Sequence, residues 1–454
     1  MRWKVPWRGL DWEADIFGGS VMGVAAAASL AALMVSFTGS VAVEAQVRAE
    51  TTTATGGGVP VGRRAAAVDV AEQAGLPTTP TRTWSAAPVD YDADGAQDVL
   101  IGHHFRGARL WRNQGDETYA RVAKYAWPAE VPDRHSCAWA DVDLNGRPDA
   151  YCAAGRGLLN HVKGDRRDNE LWLQSSAGFQ FTEVGTRWQV GDPCGRGRSV
   201  AFLYANRDRY PDLFVANEVP RVVDRDRCDT SRSLPNEESK VFLNQQGRGF
   251  RYAPRFWDYG SGPGSRCAVV LDFNGDGWDD LFTCSRNGTP QLFANRGGRG
   301  LLDVTHRHRF DSAVTDADVF DLPRTPGPDL VTSSAEGFGY HLNRSGRFGA
   351  RKVIAAVSRG EGQSVAAGDA DGDGDVDVYG MVGAGAAGNP DDWIFLNDHL
   401  SFTRVRVPSA AGAADDVVAL DRSGTGRAEF LALNGYNLDR IGPVQLIRLV
   451  AVPW

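Results

Sequence analysis

The chain has 454 residues, a formal net charge of -8, 42% hydrophobic residues, 53 glycines and 22 prolines. That length suits one large repeat fold or two to three ordinary domains, and the glycine and proline content points to many turns and few long helices. The acidic balance, with no Lys/Arg-rich run, argues against a nucleic-acid partner.

The N-terminus carries Arg2, Lys4 and Arg8 ahead of an uncharged, Ala/Val/Leu/Met-rich stretch at 16–43. A positive start followed by an apolar run reads as an export signal. The run is also long enough to span a bilayer, which takes roughly 20 residues. Residues 1–45 are therefore an apolar helix that serves either as a cleaved signal peptide or as an uncleaved membrane anchor through 16–43. Asp11, Glu13 and Asp15 are unusual for a signal peptide, and both readings stay open. In both, the remainder of the chain is extracellular. Residues 46–66 are polar, Gly/Thr-rich and unpatterned, the signature of a flexible linker.

From residue 67 to 454 the sequence repeats. Four segments follow the pattern D-x-[DN]-x-[DN]-G-x-x-D: DYDADGAQD from Asp90, DVDLNGRPD from Asp141, DFNGDGWDD from Asp272 and DADGDGDVD from Asp369. Three degenerate copies lie between and after them: YANRDRYPD from Tyr204, DLPRTPGPD from Asp321 and DRSGTGRAE from Asp421. The starts at 90, 141, 204, 272, 321, 369 and 421 define seven units of about fifty residues. Each loop follows a small or apolar run and precedes a β-rich one (VLIG, AYCAA, LFVAN, LFTCS, LVTSS, VYGMV, FLALN). A further strand, Gly/Asn turn and strand come next, as in LWRNQG, VFLNQQGRGF, LFANRGG and HLNRSGRF.

Each unit thus reads as four short antiparallel strands with the acidic loop between the first two. Such units bury their faces only against neighbours, and the expected fold is all-β: a seven-bladed β-propeller of four-stranded blades. The last unit ends at Trp454 after three strands. AVDVAEQA, from Ala67, resembles the segments FTEVG and LLDVT that end other units. It is expected to supply the missing strand and close the ring, which removes exposed sheet edges. The product is expected to be a monomer.

These motifs resemble the FG-GAP or VCBS-type repeat of integrin α-subunit heads and many secreted bacterial proteins. The resemblance covers about 85% of the chain, residues 67–454. The opening AVDVAEQAGL also looks like cartilage-acidic-protein-type propellers, although the domain that often follows there is absent.

The loops are expected to hold calcium, a hard cation that takes six to eight oxygens. Carboxylates or amides at positions 1, 3, 5 and 9 converge on one point, and Gly at position 6 allows the sharp turn. The expected ligands are Asp90, Asp92, Asp94 and Asp98; Asp141, Asp143, Asn145 and Asp149; Asp272, Asn274, Asp276 and Asp280; and Asp369, Asp371, Asp373 and Asp377. The family resemblance adds the backbone carbonyl of position 7: Ala96, Arg147, Trp278 and Asp375. Four Ca²⁺ would nominally offset the formal charge of -8. An EF-hand is rejected, because position 12 is Ile101, Cys152, Thr283 or Gly380 rather than Glu and the flanks are strands. Without metal, such Asp-Gly turns would merely close hairpins. Loop 3, with Tyr204 at position 1 and Arg209 in place of Gly, is expected to bind no ion. Loops 5 and 7 are poorer candidates.

Six cysteines in an exported chain suggest three disulfides among fifteen pairings, or buried thiols. Cys137/Cys152 and Cys267/Cys284 flank their loops in one shared register, which suits cross-strand bridges. That leaves Cys194 and Cys228 in loops of one face of unit 3.

The connection between second and third strands is long in three units, placing insertions at 155–168, 217–238 and 384–392, on the face opposite the acidic loops. Long loops on a rigid scaffold commonly carry function. Their charged residues, such as Arg156, Lys163, Glu218 and Arg227, form either a recognition patch for an extracellular protein or glycan, or solvated padding. His103, His104, His135 and His161 fall on the same face and would suit acid/base chemistry. No nucleophile elbow, His-based zinc spacing or phosphate loop accompanies them. The leading reading is an extracellular calcium-binding adhesion or binding module. A polysaccharide lyase or hydrolase and a structural envelope protein are the alternatives.

Overall fold

A computed structural model describes residues 64–452, apart from 105, 123–133, 156–167, 177–179, 193–194, 219–237, 258–263, 286–287, 311–312, 323–324, 358–361, 384–388, 409 and 436–440. The expected N-terminal apolar helix and the Cys194/Cys228 pair lie outside the described residues. Among the described residues no helix is long and apolar enough to cross a membrane.

The fold is a seven-bladed β-propeller of four-stranded antiparallel sheets. Blade 1 consists of Thr83–Val89, Asp98–His103, Arg106–Asn113 and Tyr119–Arg121. Blades 2 to 6 repeat that order, with first strands Arg134–Ala140, Gly197–Leu203, Ala268–Leu271, Asp316–Phe320 and Gly362–Gly368. Blade 7 combines Asp416–Leu420, Glu429–Leu433 and Val444–Val452 with Arg64–Asp69, which pairs antiparallel to Val444–Val452 in register Arg64↔Val452 to Asp69↔Ile447. Each first strand neighbours the first strands of both flanking blades, and that of blade 7 meets that of blade 1. The ring is closed.

Burial explains the radial order. The second strands of blades 1, 2, 3, 5 and 6 are buried at all six positions, because adjacent blades cover both faces. Their near-continuous apolar runs supply that burial. The first strands keep partly exposed positions, as in Thr83–Val89 and Arg134–Ala140. This is the pattern of strands lining a central channel.

The closing strand begins at Arg64 rather than Ala67, so the last three residues of the expected 46–66 linker belong to the sheet. It also ends earlier than expected, at Asp69. Residues 70–76 wind instead into a tight turn, with the Ala74 N–H on the Val70 carbonyl and the Leu76 N–H on the Ala71 carbonyl. Ala71, Ala74 and Leu76 pack between blades 7 and 1 against Val99, Trp111, Tyr119 and Leu446. The alanines and glutamate of VAEQA favour a helical turn over extended backbone. The same device recurs after blade 2, where the Trp188 N–H meets the Val184 carbonyl.

Candidate metal centres

Each acidic loop joins a blade's first strand to its second, and therefore lies at one end of the ring. Its conformation is dictated by side chain–backbone bonds. In all four loops the position 1 carboxylate accepts the backbone N–H groups of positions 5 and 6: Asp90 from Asp94 and Gly95, Asp141 from Asn145 and Gly146, Asp272 from Asp276 and Gly277, Asp369 from Asp373 and Gly374. Position 5 accepts from position 7, as Asp94 does from Ala96, Asn145 from Arg147, Asp276 from Trp278 and Asp373 from Asp375. The glycine at position 6 has φ +86° at Gly95 and +84° at Gly146. Nothing lies within 4 Å of a Cβ built at either, so backbone handedness requires glycine there, not crowding.

Carboxylate oxygens converge in three loops. Those of Asp90, Asp92 and Asp94 lie within 4.8 Å of one another, as do those of Asp141, Asp143 and Asp149, and those of Asp369, Asp371 and Asp377. Oxygens bound to one calcium at roughly 2.3–2.6 Å can be no farther apart than about 5 Å, so these groups fit a single cation. In loop 4 the same backbone frame sets Asn274 and Asp276 around Asp272, with the Asp276 N–H on Asn274 Oδ1 at 2.9 Å.

Loop 1 already carries a counter-charge. Arg112 Nε lies 2.5 Å from Asp92 and Nη2 2.7 Å from Asp94. In loop 7, Asp421 accepts the Thr425 and Gly426 N–H groups as the four strong loops do, but Arg422 and Arg448 neutralise its position 9 residue, Glu429. In loop 6, Asp375 turns its carboxylate toward His399, 3.3 Å away, and Asp398 joins that group.

Position 9 has a second role that sequence reasoning missed. Asp98 accepts the Tyr91 N–H on one oxygen and the Asn113 N–H on the other, tying the loop to the third strand. Asp149, Asp280 and Asp377 repeat this with Val142 and Gln174, Phe273 and Asn295, and Ala370 and Asn397. Asp212 does the same in loop 3, which lacks the metal pattern, with Ala205 and Asn244. Burial pushes the carboxyls of Asp98, Asp212, Asp280 and Asp377 up to about 7 and that of Asp149 to about 8, and nearby loop carboxylates add to the rise against the backbone bonds. A divalent cation would reverse that logic by favouring the ionised forms.

The register of the loop-flanking cysteines is confirmed: Cys137–Cys152 and Cys267–Cys284 are disulfides with Cα atoms 4.1 and 4.9 Å apart. On the opposite face, His104 and His135 come together around Trp84, with ring centroids 4.3 and 4.0 Å from it. His103 is fully buried, and His161 lies outside the described residues. Much of the three insertions also lies outside them.

Residues 90–152, which span loops 1 and 2, match the FG-GAP-like repeat family. The chain is thus a seven-bladed β-propeller that carries an FG-GAP-like repeat. No curated protein matches it in sequence. Among solved structures it is similar to an Agrocybe aegerita lectin that recognises non-reducing terminal N-acetylglucosamine, at 16% identity and TM-score 0.45, covering 84% of this chain and 88% of that one. It is also similar to BBS1N in complex with ARL6DN, at 9% identity and TM-score 0.49 over 82% of this chain and 94% of that one. The two disulfides and the propeller fit an extracellular protein.

Proposed function

We propose that this protein is an exported, calcium-stabilised binding module that recognises an extracellular protein or glycan. The observation that carries the metal reading is the convergence of three carboxylates in each of loops 1, 2 and 6, on a backbone frame that loop 4 shares. An all-oxygen set of aspartates, with asparagine as a further donor, is the chemistry of a hard cation, and the flexible geometry suits calcium better than octahedral magnesium. About four ions would be held, by Asp90, Asp92, Asp94 and Asp98 and their counterparts in loops 2, 4 and 6. At loop 1 the cation would displace Arg112. Their role is to staple the first hairpin of each blade, leaving recognition to the opposite face. Cleavage after residue 45 would release the propeller, whereas retention of 16–43 would tether it with the blades outside.

Calcium titration of the purified chain, with melting followed in calcium and in EDTA, tests the metal. Saturable binding of about four ions and a lower Tm in EDTA are expected, because a ligand bound only to the native state stabilises it by mass action. Binding without selectivity over magnesium, or an unchanged Tm, would remove calcium from the reading. Glycan and protein arrays probed with the loaded chain test the recognition role. Turnover of a polysaccharide would replace it with catalysis, and a silent array would leave a structural envelope protein.

A further inference from the structure

At the end of the channel opposite the acidic loops, charge is divided unevenly around the ring. Three guanidinium groups gather on blades 3 and 4: Arg196 and Arg198 at the start of the first strand of blade 3, and Arg266 just before that of blade 4. Two carboxylates bear on them: Glu218 beside Arg196 and Arg198, and Asp316 on blade 5, whose carboxyl the charge of Arg266 draws down against its burial. Glu218 follows the second strand of blade 3, with its N–H on the Arg196 carbonyl. It lies 2.7 Å from Arg198 Nε and 3.5 Å from Arg196 Nη1. Burial pushes the Glu218 carboxyl up, but the charges of Arg198, Arg266 and Arg196 outweigh it and hold the group below its ordinary range. Burial and the two neighbouring arginines bring Arg198 down to about 10.

Among the described residues, three guanidinium groups stand against two carboxylates, Glu218 and Asp316. Arg196 Nε and Arg266 Nη1 are buried with no hydrogen-bond acceptor among the described residues. A buried donor left unmade costs about 1–3 kcal/mol, more when charged, so the surplus is not explained by stability. Elsewhere in the ring Arg134 lies 2.7 Å from Glu170 and Arg406 2.7 Å from Asp391. Trp84 and His135 wall the cluster on the blade 1–2 side, with Arg198 5.1 Å from the Trp84 ring and its Nη1 2.8 Å from His135 Nδ1. The adjoining arc, on blades 5 to 7, is acidic: Ser364 donates to Asp316 at 2.6 Å, and its hydroxyl lies 3.3 Å from Asp416.

We infer that Arg196, Arg198 and Arg266 form a binding site for an oxyanion, a carboxylate or sulfate group carried by the ligand, at this mouth of the channel. Glu218 aligns the guanidinium groups, and the unmet Arg196 Nε and Arg266 Nη1 donors are left for the anion. The strand ends that carry the arginines make the site rigid, and the forked donors match a carboxylate or sulfate edge. The acidic arc repels the anion from the rest of the mouth and so orients it. The site lies on the face assigned to recognition and names the chemistry it would select.

Calorimetric titration of the full, calcium-loaded chain with D-glucuronate, sodium sulfate and neutral D-glucose tests this, using wild type, Arg196→Gln and Arg266→Gln. Saturable binding of glucuronate or sulfate but not glucose is expected, weakened about 10-fold or more in each variant and by added salt. Tighter glucuronate marks a carboxylate ligand, and tighter sulfate marks a sulfated one. Equal binding of glucose, binding unchanged in both variants, or no binding of either anion would overturn the proposal. Should Arg266→Gln fail to fold, Arg196→Gln carries the test. An array ligand found without anion binding would sink this proposal alone, and anion binding without a calcium effect would sink only the metal reading.

Discussion

At the scale of single residues, the acidic repeat does two jobs with one motif. The convergence of the loop carboxylates was legible in their spacing and repetition. The structural work of position 9 was not, since its partners are backbone N–H groups of a third strand 15 residues away in blade 1 and 32 in blade 3. Asp392, the first residue of the third strand of blade 6, is a cleaner case of a buried carboxyl, at the other end of the blade from its acidic loop. It is 2% exposed and receives the Val382 N–H at 2.7 Å and the Tyr379 hydroxyl at 3.0 Å, and burial pushes it up to about 7. A carboxyl whose folded pKa lies above its unfolded value near 3.8 contributes its full stability at acid pH and loses it as pH rises toward 7. Wild type should therefore lose stability relative to Asp392→Asn between about pH 4 and 7 and run parallel to it above. Denaturant melts across that range check this, and a pH-independent difference would refute it.

At the scale of elements, neighbouring blades are joined by an amide latch. In five blades a residue at or just past the end of the third strand donates its side-chain amide to the carbonyl at position 2 of the preceding blade's loop: Asn113 to Arg422, Gln174 to Tyr91, Asn244 to Val142, Asn295 to Ala205 and Asn343 to Phe273, at 2.7–3.0 Å. Arg427 Nε reaches Ala370 from blade 7 to blade 6 in the same way. The Asn of WRNQG or FLNQQ was visible in the sequence, but it read as a turn residue. It does serve the turn, as Asn244 Oδ1 accepts the Gly247 N–H. Its latch partner, 102 residues distant, has no local signature. Asn244→Ala strands the Val142 and Pro211 carbonyls and the Gly247 N–H, and should cost about 1–3 kcal/mol in chemical denaturation. A loss within error of zero would mean that the latch follows blade packing and does not secure it.

At the scale of the whole molecule, stability rests on closure, because each blade's apolar faces are covered only by its neighbours. Arg64–Asp69 and the turn after it complete blade 7 and bury Ala71, Ala74 and Leu76 against blade 1. A chain shortened to begin at residue 77 should expose the edge of Val444–Val452 and self-associate. Size-exclusion chromatography would show loss of the wild-type peak, and an unchanged peak and Tm would mean that the ring stands without its clasp. Seven units, their four strands, their acidic loops and two disulfide registers were determined by the sequence alone, because repetition, strand periodicity and turn chemistry are local properties that a linear reading exposes. The start of the clasp, the latches between blades, the Arg112 counter-charge on loop 1 and the unbalanced arginines at the channel mouth were decided only in the tertiary structure. Each depends on groups brought together from different blades, and the energy of such contacts leaves no periodic trace along the chain.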